Sequence, residues 1–184
     1  MIINKDYWEH YYSNKDNRLS YPSDFAIFVR NNYFSPNSII IDVGCGNGRD
    51  SSYFRAEGFE VKSLDAIYQP HLINFKQCDL KDYDYCANII YCRWVIHSID
   101  EGTEDLFFKK LANDMVPDSI LCIECRSDKD VIQEESHYRR LINREALHKK
   151  LNNFGFSIIY SDEKRGWSTV RNDDPLLIRM IGKK

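Results

Sequence analysis

Apolar positions along this 184-residue chain fall into two patterns, short β-branched runs and longer stretches with a helical stripe. The clearest run is Ile39, Ile40, Ile41 and Val43, short and branched enough for a parallel strand buried on both faces. Residues 59–64 alternate and end at Asp65, and further strand-like runs cover 73–80, 87–92, 120–125, 156–160 and 175–181. Helical stretches lie between them. Residues 49–56 form one, ended by Gly58. Another follows Glu101, with Phe107, Phe108, Leu111, Ala112 and Met115 on one stripe, read as core. A third runs from a cap at Asn143 to Asn153, with Gly155 as its C-cap. Ahead of the first strand, the aromatic-rich residues 5–12 are read as helical. Pro22-Ser23-Asp24 then opens a second helix through Asn31.

The first strand leads into Gly44-Cys45-Gly46-Asn47-Gly48 and then a helix. Alternate glycines let the backbone turn tightly and approach a ligand without Cβ clashes. Strand, glycine loop and helix make the first unit of a nucleotide-binding α/β fold. A dinucleotide fingerprint would place its third glycine where Arg49 stands; here it comes one residue early, at Gly48. An acid, Asp42, precedes the loop by two residues. A second acid, Asp65, ends the next strand about 20 residues on, placed to accept hydrogen bonds from both ribose hydroxyls.

The pattern Asp42-x-Gly44-x-Gly46-x-Gly48 resembles motif I of the class I S-adenosylmethionine-dependent methyltransferases, and the likeness covers roughly residues 38–184. It implies a single Rossmann-like domain, 1–184, with a seven-stranded, mostly parallel sheet, helices on both faces and a C-terminal antiparallel hairpin. Residues 1–37 would form a helical cap or lid, and a substrate insert would lie around 126–142. S-adenosylmethionine is the implied cofactor. Its ammonium suits a carboxylate such as Asp42, and Asp79, with Cys78 and Leu80, would meet the adenine. Cys45, Asn47, Ala66 and Arg93 are counted with these cofactor contacts, and Arg18 is a further cation within reach of the cofactor's carboxylate.

Composition narrows the partners. A net charge of −3 and pI near 6.0 give no broad basic field for nucleic acid or anionic membrane. No run of 18 apolar residues exists, and the first residues lack a signal-peptide core, so a soluble cytoplasmic protein is expected. Cysteines stand at 45, 78, 86, 92, 122 and 125. Cys122 and Cys125 have C-x-x-C spacing, but within a strand they point to opposite faces, so no metal site is expected.

The acceptor side is read from the edge beyond strands four and five, where open α/β sheets bind ligands. Nucleic-acid amino methyltransferases carry N-P-P-Y or D-P-P-Y after strand four. This chain has Arg93-Trp94-Val95-Ile96-His97 instead. His97 is the first candidate for a general base, with Tyr138 or Glu124 behind it. Arg126, His137, Arg139 and Arg140 follow strand five and suit an anionic acceptor group, since arginine binds carboxylate or phosphate through two parallel N–H groups. Tyr11 is counted with the acceptor contacts. An already anionic oxygen would need positioning and no base.

Residues 46–51, 123–130, 137–140 and 173–179 look like small bacterial methyltransferases of surface (capsular) polysaccharide biosynthesis. That resemblance implies O-methylation of a sugar, nucleotide-linked sugar or phosphate-type group. A detoxifying thiol or metalloid methyltransferase and a non-catalytic S-adenosylmethionine-binding protein are the alternatives.

Overall fold

The structure is a computed structural model and describes residues 5–14, 19–130, 137–168 and 173–184. Seven strands form one sheet: β1 (Ile39–Val43), β2 (Glu60–Asp65), β3 (Phe75–Gln77), β4 (Ile89–Arg93), β5 (Ile120–Arg126), β6 (Ser157–Lys164) and β7 (Leu177–Lys183). Their order is β3-β2-β1-β4-β5-β7-β6. Strands β1 to β5 pair in parallel. Strand β7 runs antiparallel between β5 and β6. The expected α/β architecture is the one observed.

Alternation along the strands sends side chains into two cores. One face takes Ile40, Val61, Ile89, Tyr91 and Cys122 against Phe25, Ala26 and Val29 of α2 (Asp24–Tyr33) and Phe54 of α3 (Arg49–Ala56). The other takes Ile41, Ile90, Cys92, Ile123 and Cys125 against Phe107, Phe108 and Leu111 of α4 (Glu101–Asp114) and Leu147 and Leu151 of α5 (Arg144–Asn153). Cys122 and Cys125 therefore lie on opposite faces, as their spacing requires. Helix α1 (Lys5–Ser13) buries none of its residues fully.

Capping fixes the helix starts. The side chains of Ser23, Asp100 and Asn143 accept the amide hydrogens of Ala26, Thr103 and Ala146. The Ser23 hydroxyl also donates to Asp50, whose carboxylate accepts the Ser23 amide and the Tyr91 hydroxyl, tying α2 and α3 to β4.

Three boundaries differ from the sequence reading. Strand β3 is only three residues long, so Asp79 stands beyond it and caps a 3-10 turn at Leu80–Asp82. The last strand starts at Leu177, two residues past Pro175, which has no N–H to give to a ladder. Strand β6 continues through Ser161, Asp162, Glu163 and Lys164, all paired with β7, although their polarity reads as the end of a strand.

Candidate functional site

The carboxyl ends of β1, β2 and β4 open into two adjoining recesses. The first is lined by Leu64, Asp65, Ala66, Ile67, Cys78, Asp79, Leu80, Val95 and Ile99, among others. The second is lined by Asp42, Cys45, Gly46, Asn47, Arg49, Asp50, Tyr91, Arg93, His137 and Arg139, with Tyr7 and Tyr11 of α1. Gly44, Trp94, Trp8 and Tyr12 border both. Helix α1 thus covers the glycine loop.

Gly46 shows why the loop needs glycine. Its φ is +53°, and a Cβ there would stand 2.6 Å from the Tyr12 hydroxyl. Gly44, also at positive φ, leaves its Cβ space to the Val95 side chain. Asp65 reaches back over the loop: one oxygen accepts the Gly46 amide at 2.8 Å, the other the Ile67 amide at 2.8 Å. Burial raises its pKa even so. Asp42 accepts the Ser51 hydroxyl at 2.5 Å. Burial, and then the charge of Asp50, push its carboxyl up to about 7. Tyr12 is pushed well above the usual phenol range by burial and by Asp65.

Trp94 has φ +62°, a strained conformation for a bulky residue. Its amide donates to the Glu124 carbonyl at 2.8 Å, and its indole N–H to the Glu124 carboxylate at 3.1 Å. That carboxylate, 1% exposed, also accepts Arg93 Nε at 2.8 Å and Arg179 Nε at 2.7 Å. Sequence reasoning passed over Trp94. A tryptophan directly after a central strand was the available signal.

The expected cofactor contacts Asp42, Gly44, Cys45, Gly46, Asn47, Asp65, Ala66, Cys78, Asp79, Leu80 and Arg93 all line one recess or the other. The expected catalytic and acceptor residues separate. Tyr11, His137 and Arg139 line the second recess, where Arg139 lies 3.1 Å from His137 Nε2. Burial and the Arg139 charge lower the His137 pKa to about 4.

The other candidates are engaged elsewhere. Glu124 holds the three donors Arg93, Trp94 and Arg179 and lines neither recess. Arg126 pairs with Asp130 and Asp173 and lies over the Trp94 ring, and Arg140 pairs with Glu104 and the carbonyls of Ile96 and Ile99. Tyr138 is exposed and lines neither recess. His97 is 1% exposed, its Nδ1 accepting the Arg126 amide at 3.3 Å. Burial, then Arg139 and Arg126, hold it well below the ordinary histidine pKa. It lines neither recess. Arg18 and residues 134–136 lie outside the described residues.

Among the described residues, no group of three or more His, Cys, Asp or Glu could hold a metal ion. Among the same residues, no helix is long and apolar enough to cross a membrane.

Residues 17–161 match a family described as a methyltransferase domain. The chain is 27% identical over 137 residues to a malonyl-[acyl-carrier protein] O-methyltransferase of Enterobacter lignolyticus, covering 61% of this chain and 52% of that protein. It thus spans about half the length of this curated relative. Among solved structures, the 1,6-didemethyltoxoflavin-N1-methyltransferase of Burkholderia thailandensis, with bound S-adenosylhomocysteine, gives a TM-score of 0.73 at 15% identity, over 87% of this chain and 76% of the other. The N-methyltransferase NodS of Bradyrhizobium japonicum, also with S-adenosylhomocysteine, gives 0.72 at 14% identity, over 97% of each. At these identities the likeness to the solved structures is one of fold.

Proposed function

Because the chain belongs to the methyltransferase domain family, we propose that it methylates an anionic oxygen of a small acceptor, using S-adenosylmethionine. The observation that carries this reading is the pair of recesses joined at Gly44 and Trp94, with a carboxylate at the end of β1, another at the end of β2 and a third just past β3. The donor set fits the cofactor. The Gly46 cradle has no room for a Cβ, and each of the three acids matches a part of the molecule that donates hydrogen bonds. Asp42 suits the ammonium, Asp65 the ribose hydroxyls and Asp79 the adenine amino group. S-adenosylmethionine supplies an electrophilic methyl on a sulfonium.

The protein's own contribution is placement. Trp94, with Trp8 and Tyr12 of α1, walls the space where the two recesses meet. Glu124 fixes Trp94 and Arg93. Arg139 presents a guanidinium to an acceptor anion. No general base enters this reading, since His97 is buried with a depressed pKa, Glu124 is held by three donors and Tyr138 faces solvent. An oxygen that is already ionised needs none.

Support for oxygen over nitrogen comes from these residues and from the curated relative, an O-methyltransferase. The sugar, nucleotide-sugar or phosphate-type acceptor of surface polysaccharide rests on the sequence resemblance alone.

The test begins with calorimetry of S-adenosylmethionine binding. Asp65→Ala should weaken it by about 2 kcal/mol, the worth of charge-assisted hydrogen bonds. Transfer of labelled methyl to a panel of ionised and neutral acceptors then reads the chemistry. A folded wild-type protein that ignores S-adenosylmethionine but binds NAD would refute the reading.

A further inference from the structure

The wall of the second recess is built from rings. Tyr7, Trp8, Tyr11 and Tyr12 come from α1, His137 from the segment after β5, and Trp94 from the end of β4. Tyr7 lies flat on His137, with centroids 4.2 Å apart and 16° between planes. Across the recess, the indole of Trp94 is fixed by Glu124 despite its strained backbone. Strain held by a buried carboxylate at a cleft marks a functional position.

Several hydrogen-bonding groups on this wall already have partners. Asp50 accepts three hydrogen bonds, from the Ser23 amide, the Ser23 hydroxyl and the Tyr91 hydroxyl. The Asn47 amide group donates to the Leu19 carbonyl at 2.9 Å. Arg93 donates to Glu124 and Ser168. A sugar's hydroxyls would have to compete with these existing partners. A flat ring asks for aromatic faces, which this wall supplies.

We infer that the acceptor is a planar aromatic or heteroaromatic molecule bearing an anionic group, with its ring between α1 and Trp94 and its charge beside Arg139. This rests on the methyltransferase reading and narrows its acceptor. It favours a ring over a simple sugar.

The experiment compares two probes in protein saturated with S-adenosylhomocysteine: 2-naphthoate and its saturated counterpart, decahydro-2-naphthoate. They share a carbon skeleton and a carboxylate and differ in flatness. Calorimetry should show 2-naphthoate binding on the order of tenfold more tightly, from stacking beyond simple burial. Tyr11→Leu and Trp94→Leu should each cut that preference by roughly threefold. Arg139→Gln should weaken both probes by a similar factor. If strain keeps Trp94→Leu from folding, Tyr11→Leu on α1 carries the test. Equal affinity for the two probes, tighter binding of glucose 1-phosphate than of 2-naphthoate, or an undiminished preference in Tyr11→Leu would overturn the inference. A wild type that fails to bind S-adenosylhomocysteine would sink the methyltransferase reading instead, and the two probes would then be compared on the free protein.

Discussion

Gly46→Ala tests whether α1 is seated on the glycine loop. Two costs separate in the structure. The first is conformational: φ is +53°, and a residue with a Cβ loses roughly 1–2 kcal/mol there. The second is steric. The new methyl would stand 2.6 Å from the Tyr12 hydroxyl and 3.0 Å from two carbons of its ring. Forcing a group into a packed position costs about 1–3 kcal/mol, and less if the ring swings away. Together they predict a loss of about 2–5 kcal/mol. For a chain of this size that is a fall of roughly 4–20 °C in Tm, at about 2–4 °C per kcal/mol. Thermal unfolding of wild type, Gly46→Ala, Tyr12→Ala and the double variant closes a cycle. All three nearest atoms belong to Tyr12, so its removal should leave only the conformational cost. A coupling of about 1–2 kcal/mol is expected between the two sites. Additivity within about 0.5 kcal/mol would show that Tyr12 does not rest on Gly46, and α1 would lose its role as a cover.

Three further outcomes follow from the buried polar groups. Asp42 is held up to about 7 against an ordinary 3.8, so its burial costs nothing below pH 4 and an increasing amount as pH rises to 7. An incoming ammonium favours the ionised form, so binding S-adenosylmethionine at pH 6 should release a proton. Calorimetry in buffers of different ionisation heat would register it, and identical heats in all buffers would contradict the assignment. Glu124→Ala leaves Arg93 and Arg179 buried without their carboxylate and should cost about 3–5 kcal/mol in urea unfolding; a loss below about 1 kcal/mol would mean the three donors find other partners. His97→Gln should bind S-adenosylhomocysteine within roughly threefold of wild type. At saturating S-adenosylmethionine, where Asp42 is already ionised, neither protein's kcat profile should show a limb near the reference pKa of about 6.5. A wild-type limb that His97→Gln removes would restore the base.

The nucleotide-binding half was legible because its signals are local. A β-branched run, alternate glycines and acids at strand ends are each set by neighbours within a few residues, and Asp42, Asp65 and Asp79 all line the recesses. The acceptor half was not. Arg126, Arg139 and Arg140 look alike in sequence, yet two of them meet acids far along the chain, Asp173 at one end and Glu104 at the other. Which partner each cation takes depends on tertiary pairing. The placement of His97 was hidden for a related reason. Its position after β4 was right for a base, but the turn at Ile96–Ser98 rotates the ring inward under the Arg126 amide. The polar end of β6 was missed because its partner, β7, supplies the apolar half of the pattern.

The place of β7 in the sheet has a consequence for how the chain is assembled during synthesis. Strand β5 is made well before β7, yet β7 is its neighbour along the whole length from Ile120–Lys183 to Arg126–Leu177. Until residues 177–183 emerge, β5 presents an open edge of Leu121, Cys122, Ile123 and Cys125, and β6 has nothing to pair with. A β6 that docked directly on β5 would close the sheet in the wrong order and strand β7 outside. Such long-range pairings form slowly, and unpaired apolar edges aggregate. A nascent chain halted before β7 is therefore the form most in need of a chaperone, and a variant that weakens the β5–β7 ladder should show its defect first as lost soluble yield, ahead of any fall in Tm.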